Sequence, residues 1–162
     1  MSFDLERFLE AQDRGDYQRA LRELGAGRKT GHWIWYILPQ LRGLGHSSTA
    51  IHYGLEGVEE AVAFLGHPVL RQRLGQIVAV IHDQVCQNSP RLNGLMGSGI
   101  DALKLVSCLT LFEAVARALD LREPAPDLAL LATRAHDILE AAEAQGYARC
   151  SFTLKSLARW TV

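Results

Sequence analysis

Val69-Leu-Arg-Gln-Arg-Leu-Gly-Gln-Ile-Val-Ala-Val-Ile-His-Asp-Gln-Val85 decides the fold. Val69, Leu70, Leu74, Ile77, Val78, Val80 and Ile81 recur at helical spacing and form the broadest apolar stripe of the chain. A stripe of that width belongs to a helix packed into a core. Gly66-His67-Pro68 stands just before it, the punctuation of one helix stopping and the next starting. The buried helix is expected to end near Val85.

The same period extends in both directions. Towards the N-terminus, Val58, Ala61, Val62 and Leu65 make a shorter helix, and Ala50, Ile51 and Leu55 another, capped by Ser47 or Ser48. Tyr17, Ala20, Leu21 and Leu24 define a helix that Asp16 can cap and that Gly25 and Gly27 end. Phe3, Phe8, Leu9 and Gln12 begin a first helix, with Ser2 as its expected cap and Gly15 as its break. Towards the C-terminus, Gln87 to Gly99 reads as the longest loop. A helix from about Asp101 to Leu119 and one from Asp127 to Gln145 follow, and Phe152 to Trp160 adds a short last one. No segment alternates with period two. The chain is expected to be all-α, a compact multihelical single domain over residues 1–162, with the segments at 127–160 read from periodicity alone. Its core should be built on the helices near 69–85, 102–119 and 127–144.

Length and composition agree with one globular domain: 162 residues, 48% hydrophobic, 22% charged. A net charge of −1 argues against a nucleic-acid-binding surface. No apolar run approaches the ~20 residues of a membrane span, and the acidic amphipathic start (Asp4, Glu6, Arg7, Glu10) is not a signal peptide. Three widely spaced cysteines, Cys86, Cys108 and Cys150, read as reduced, mostly buried thiols of a cytoplasmic protein.

The chemistry concentrates in Gly27-Arg-Lys-Thr-Gly-His-Trp-Ile-Trp-Tyr-Ile-Leu-Pro-Gln-Leu41. From Gly25 to Leu55 there are Arg28, Lys29, Arg42 and three histidines, and no Asp or Glu. A helix from about Thr30 to Leu38, stopped by Pro39, cannot turn all its rings one way: Trp33 and Tyr36 share a side, and Trp35 points about 160° from Trp33. One side should enter the core and the other face a groove. The glycine-rich turn lacks the spacing of a phosphate loop, yet its N–H groups beside Arg28 and Lys29 suit an anion. The competing reading is a plain connection with solvated cations. His32, His46 and His52 lack metal-ligand spacing, so no metal and no cofactor is expected.

Asp101, Lys104 and Ser107 recur at steps of three on a later helix. Read blandly, Asp101 and Lys104 are an exposed ion pair worth about 0.3–0.5 kcal/mol. Read functionally, they face the aromatic segment across a groove. A site would then use Arg28 and Lys29 for an anion, Trp35 for stacking, Gln40 for polar edges and Lys104 for charge from the opposing wall. His32 would transfer a proton, and Asp101 would orient Lys104 or act as the carboxylate of a hydrolytic step. The alternative is a protein–protein module, homodimeric or otherwise, anchored by Trp33, Trp35 and Tyr36.

Several blocks together resemble a known family: Phe3-Asp-Leu-Glu-Arg-Phe-Leu-Glu-Ala-Gln12, Gly27-Arg-Lys, His32-Trp-Ile-Trp, Pro39-Gln-Leu, His67-Pro-Val-Leu, and Asp101-Ala-Leu-Lys-Leu with Thr110-Leu-Phe112. They are similar, in the same order over about Phe3 to Leu131, to the bacterial domain of unknown function 1810, sometimes labelled calpastatin. That label fits poorly, since calpastatin is a disordered inhibitor and this chain has the periodicity of a packed core. The resemblance implies a helical domain and no established activity. Arg7-Phe-Leu-Glu-Ala-Gln12 followed by Tyr17 also resembles the opening segment of the NADAR family, which implies an ADP-ribose-like, nucleotide-like ligand and hydrolase or N-glycosidase chemistry.

Overall fold

The computed structural model describes residues Ser2 to Thr161, and among them the architecture is all-α, as the periodicity requires. In chain order the helices are α1 (Glu6–Ala11), α2 (Tyr17–Gly25), α3 (Ile34–Ile37), α4 (Ser48–Tyr53), α5 (Gly57–Gly66), α6 (Pro68–Asn88), α7 (Leu92–Leu95), α8 (Gly99–Arg122), α9 (Pro126–Ala144) and α10 (Ser151–Ala158). No helix among the described residues is long and apolar enough to cross a membrane.

The centre of the molecule is α8. Every residue from Leu105 to Phe112 is buried, so all sides of this stretch meet protein. A helix that is apolar all round has to be enclosed. It lies along α9, while α5, α7 and α10 close over its other sides. α6 packs on α9 and α2 and buries a single stripe, Leu70, Leu74, Ile77, Val78 and Ile81. Val69 is left 38% exposed because it sits in the first turn, outside that seam. His67 and Pro68 start α6 as expected: the imidazole Nδ1 accepts from the Leu70 N–H at 3.5 Å, and Pro68 gives up an N–H that has no partner there anyway. Ser47 caps α4 by accepting from the Ala50 N–H.

Other boundaries differ from expectation, and each difference has a partner remote in sequence. The Ser2 cap does not form; α1 begins at Glu6 after Leu5. Gly15, at φ 97°, kinks the chain between α1 and α2 through one π-helical turn (Gln12–Asp16) and does not end it. Asp16 precedes α2 without capping it, because its Oδ2 accepts from the Tyr36 hydroxyl instead. Gln87 to Gly99 is helical in part. α6 continues to Asn88, and the Gln145 side chain accepts from the Leu92 N–H (2.7 Å) and donates to the Pro90 carbonyl (3.0 Å), holding the segment around α7.

Two polar ties cross the core. Arg7 and Glu60, both buried, form a bidentate pair at 2.7 and 3.1 Å that joins α1 to α5. The buried Gln12 amide donates to the Tyr36 carbonyl at 2.8 Å and accepts from Arg73 at 3.1 Å. Around them stand Phe8, Phe64 and Phe112, with successive ring centroids 5.2 and 5.4 Å apart. Arg7 and Gln12 of the opening block are therefore internal fasteners, while its Asp4, Glu6 and Glu10 are exposed.

Candidate functional site

Glu23, in the last turns of α2, shapes the loop that carries the cations. Its Oε1 accepts from the Thr30 N–H (2.8 Å), the Gly31 N–H (2.8 Å) and the Trp33 indole N–H (2.9 Å). These bonds fix the path of the loop through Thr30 and Gly31, and the helix expected from about Thr30 to Leu38 is confined to α3, Ile34–Ile37. Burial raises the Glu23 carboxyl, but the donors from Gly31, Thr30 and Trp33 outweigh it and bring the pKa down to about 2.

A group whose pKa falls on folding stabilises the fold above its unfolded value, here 4.5, and loses that effect as pH falls towards about 2. Discounted for its partial exposure, the effect should be about 1–2 kcal/mol near neutrality. Urea titrations should show Glu23→Gln less stable than wild type by that amount at pH 7. The gap should close between pH 4.5 and 2. A gap that stayed constant over this range would mean the carboxylate charge plays no part.

The loop then docks on the start of α8. The Lys29 N–H donates to the Leu95 carbonyl at 2.8 Å. Gly97, at φ +84°, passes so close that a Cβ there would lie 2.6 Å from the Lys29 carbonyl oxygen, so only glycine fits. This docking buries the Lys29 side chain, which is 4% exposed. Its Nζ donates to Asp101 Oδ2 at 2.6 Å and to the Gly31 carbonyl. Asp101 Oδ1 accepts from Lys104 Nζ at 3.2 Å, and that ammonium sits 3.8 Å from the centroid of the Trp35 ring. A cation over an indole face is attracted by the ring quadrupole.

Lys29 and Trp35 of the aromatic segment and Asp101 and Lys104 of α8, remote in sequence, thus meet at one place. Asp101 and Lys104 are not the isolated surface pair of the bland reading, because a buried third charge joins them. Burial raises the Asp101 carboxyl, and the two lysines bring it net below its usual value. Both of its oxygens are engaged, which suits orientation of the lysines better than proton abstraction.

The remaining residues expected at a site are placed differently. Arg28 and His32 are exposed on the loop. Among the described residues neither they nor the Gln40 side chain make a side-chain hydrogen bond or ion pair. Gln40 contributes its backbone carbonyl, which accepts from the Leu55 N–H beside the isolated Leu41–Leu55 bridge. Trp33 is fully buried, with its ring 5.0 Å from Lys29 Nζ, while Trp35 and Tyr36 are partly buried.

Of the cysteines only Cys108 is buried, and burial pushes its thiol up. Cys86 is exposed and Cys150 is half-buried, so the expectation of mostly buried thiols does not hold. Burial raises the Cys150 thiol, but the hydroxyls of Ser107 and Thr153 and the first N–H groups of α10 bring it net below its usual value. Among the described residues no group of three His, Cys, Asp or Glu side chains could hold a metal ion.

Three cavities open elsewhere: about 460 Å³ between α6 and α9, about 460 Å³ beside the α8–α9 turn, and about 520 Å³ next to Arg7 and His52. None of them is lined by the Lys29–Asp101–Lys104 cluster. Sequence spacing does not reveal Glu23, whose partners lie seven to ten residues on, in a loop of unknown path.

Comparison with known proteins gives the family and the fold. Residues 2–124 match the profile described as "Protein of unknown function (DUF1810)". No functionally curated protein matches the chain. Among solved structures, the crystal structure of the conserved hypothetical protein Rv1873 from Mycobacterium tuberculosis is similar at 35% identity, covering 98% of this chain and 99% of that one, with a TM-score of 0.74. A match over three quarters of the chain, supported by a neighbour alike along its whole length, establishes that this protein belongs to the DUF1810 family.

Proposed function

We propose that this domain binds a small anionic, ring-bearing ligand, nucleotide-like in its chemistry, where the loop before α3 meets the start of α8. The observation that carries this reading is the Lys104 ammonium held 3.8 Å over Trp35 by an Asp101 that also serves Lys29. Asp101 faces two ammonium groups, Glu23 adds a second carboxylate against the same loop, and the exposed Arg28 next to Lys29 leaves one positive charge in excess. An anionic group supplies the missing counter-charge at Lys104, and a flat ring packs on the part of the half-buried indole that Lys104 leaves open.

Binding is supported better than catalysis. His32 is exposed and has no hydrogen-bonding partner among the described residues, and both Asp101 oxygens are committed. An ADP-ribose-like ligand rests on the NADAR resemblance of Arg7 to Gln12 with Tyr17, and the Arg7 and Gln12 of that stretch are internal ties here. The protein–protein reading has less to work with. Of its three anchors, Trp33 is fully buried and Tyr36 is hydrogen-bonded to Asp16, which leaves Trp35.

Thermal shift and calorimetry with ADP-ribose, AMP and adenosine test the proposal. AMP or ADP-ribose should raise Tm, and adenosine, which lacks the phosphate, should do so far less. Lys104→Ala and Trp35→Ala should each weaken the binding about tenfold. No response to any of the three, together with a concentration-dependent dimer in sedimentation, would replace the ligand reading with the protein–protein one.

A further inference from the structure

A second feature lies on α6 and α9 and shares no residue with the cluster above. The two helices run side by side in the same direction. Arg71 pairs with Asp127 through two bonds of 2.6 Å at one end, and His82 meets Asp137 at 2.8 Å further along. Between these ties opens the cavity of about 460 Å³. That volume lies within the range of small-molecule sites, roughly 300–1,000 Å³.

The cavity exists because α6 offers no bulk there. Gly75 and Ala79, one turn apart, form its floor, and Leu128 and Leu131 of α9 form an apolar wall. A Cβ on Gly75 would meet no atom within 4 Å, and the same holds at Gly66 on the rim. Glycine inside a helix of 21 residues costs stability relative to alanine, and no contact within the chain demands it.

The charges in the lining are unequal. Arg71 is neutralised by its bidentate bond to Asp127. Arg134, partly buried in the same lining, has no carboxylate within 4 Å among the described residues. A guanidinium beside an apolar wall is suited to a planar anion held by two parallel N–H bonds.

We infer that the α6–α9 cavity is a binding site for a small amphipathic monoanion, an apolar or aromatic body bearing a carboxylate-like group. The body lies over Gly75 and Ala79 against Leu128 and Leu131, and the anionic group meets Arg134.

The probe pair is 8-anilinonaphthalene-1-sulfonate and N-phenyl-1-naphthylamine, which carries the same rings without the charge. Fluorescence titration of the folded full chain should show one saturable site for the sulfonate and at least tenfold weaker binding of the amine. Arg134→Gln should weaken the sulfonate about tenfold and leave the amine unchanged. Gly75→Leu, which fills the floor, should abolish both while circular dichroism stays that of wild type. Equal sulfonate binding by wild type, Gly75→Leu and Arg134→Gln would overturn the assignment. If Gly75→Leu does not fold, amide shifts of wild-type protein on titration decide: changes centred on Gly75, Ala79 and Leu131 support the site, and changes confined elsewhere overturn it. Because the two sites share no residue, Gly75→Leu should retain the AMP response of wild type, so failure of either proposal can be recognised separately.

Discussion

Replacing Arg7 with alanine is expected to cost about 3–5 kcal/mol, enough to unfold a domain of ordinary stability near physiological temperature. The guanidinium uses its whole fork. Nη1 and Nη2 meet the two Glu60 oxygens at 2.7 and 3.1 Å, Nε donates to the His52 carbonyl at 2.9 Å, and Nη2 reaches the Gly54 carbonyl at 3.2 Å. Nη1 also donates to the Asp4 carbonyl. One side chain therefore fastens the start of α1, the end of α4 and the middle of α5. In Arg7→Ala the Glu60 carboxylate stays buried, keeping only the Glu56 N–H at 2.7 Å, and three carbonyls lose a donor.

The cost comes from stranding the partner more than from losing an attraction. Two further variants separate these effects. Arg7→Lys should recover little, since an ammonium cannot reproduce a planar fork. Arg7→Met combined with Glu60→Leu should be less damaging than Arg7→Ala, because neither charge is then left alone. Chemical denaturation of the set gives the coupling energy by a double-mutant cycle. A cost below about 1 kcal/mol for Arg7→Ala would show that the pair is open to water and acts as an ordinary surface bridge.

The same residue shows where sequence reading stops. The long helices α6, α8 and α9 are visible in the apolar period, because burying one face of a helix imposes a repeat on nearby residues. Arg7 reads as one charge of an amphipathic opening helix, and its partner lies 53 positions away. Lys29 likewise reads as a loop cation, facing either an anion or solvent, yet the docking of the loop against Leu95 and Gly97 buries it on Asp101. The steps of three from Asp101 through Lys104 to Ser107 single these residues out on α8, and Trp35 is conspicuous in any reading. The meeting of Lys104 with Trp35 depends on the path of the loop, which Glu23 sets through three bonds invisible in the local pattern. The α6–α9 cavity is hidden for a related reason. A glycine in an apolar stripe tells nothing about whether the space beside it is filled.

The second large effect is expected at the centre of the bundle. Leu105→Ala should cost about 2–5 kcal/mol, and Phe112→Ala about 3–5 kcal/mol. Both side chains are fully buried in the stretch of α8 whose every residue is enclosed. Truncation there removes apolar surface from the core and also leaves a void. α9 lies along one side and α5, α7 and α10 close the others, so no neighbour can move in without breaking its own packing. The Phe112 ring is additionally 5.4 Å from Phe64, which in turn meets Phe8, so its loss also loosens the aromatic column that reaches α1. Ile77→Ala on α6 belongs to the same class, since Ile77 is fully buried in the seam. Val69→Ala is the internal control. At 38% exposure in the first turn of α6 it should change stability by no more than about 0.5 kcal/mol, although both residues belong to one apolar stripe in the sequence. Urea midpoints at constant slope read the difference directly. Similar losses at Val69 and Ile77 would contradict the packing, because they would require the exposed first turn of α6 to be as deeply enclosed as its middle.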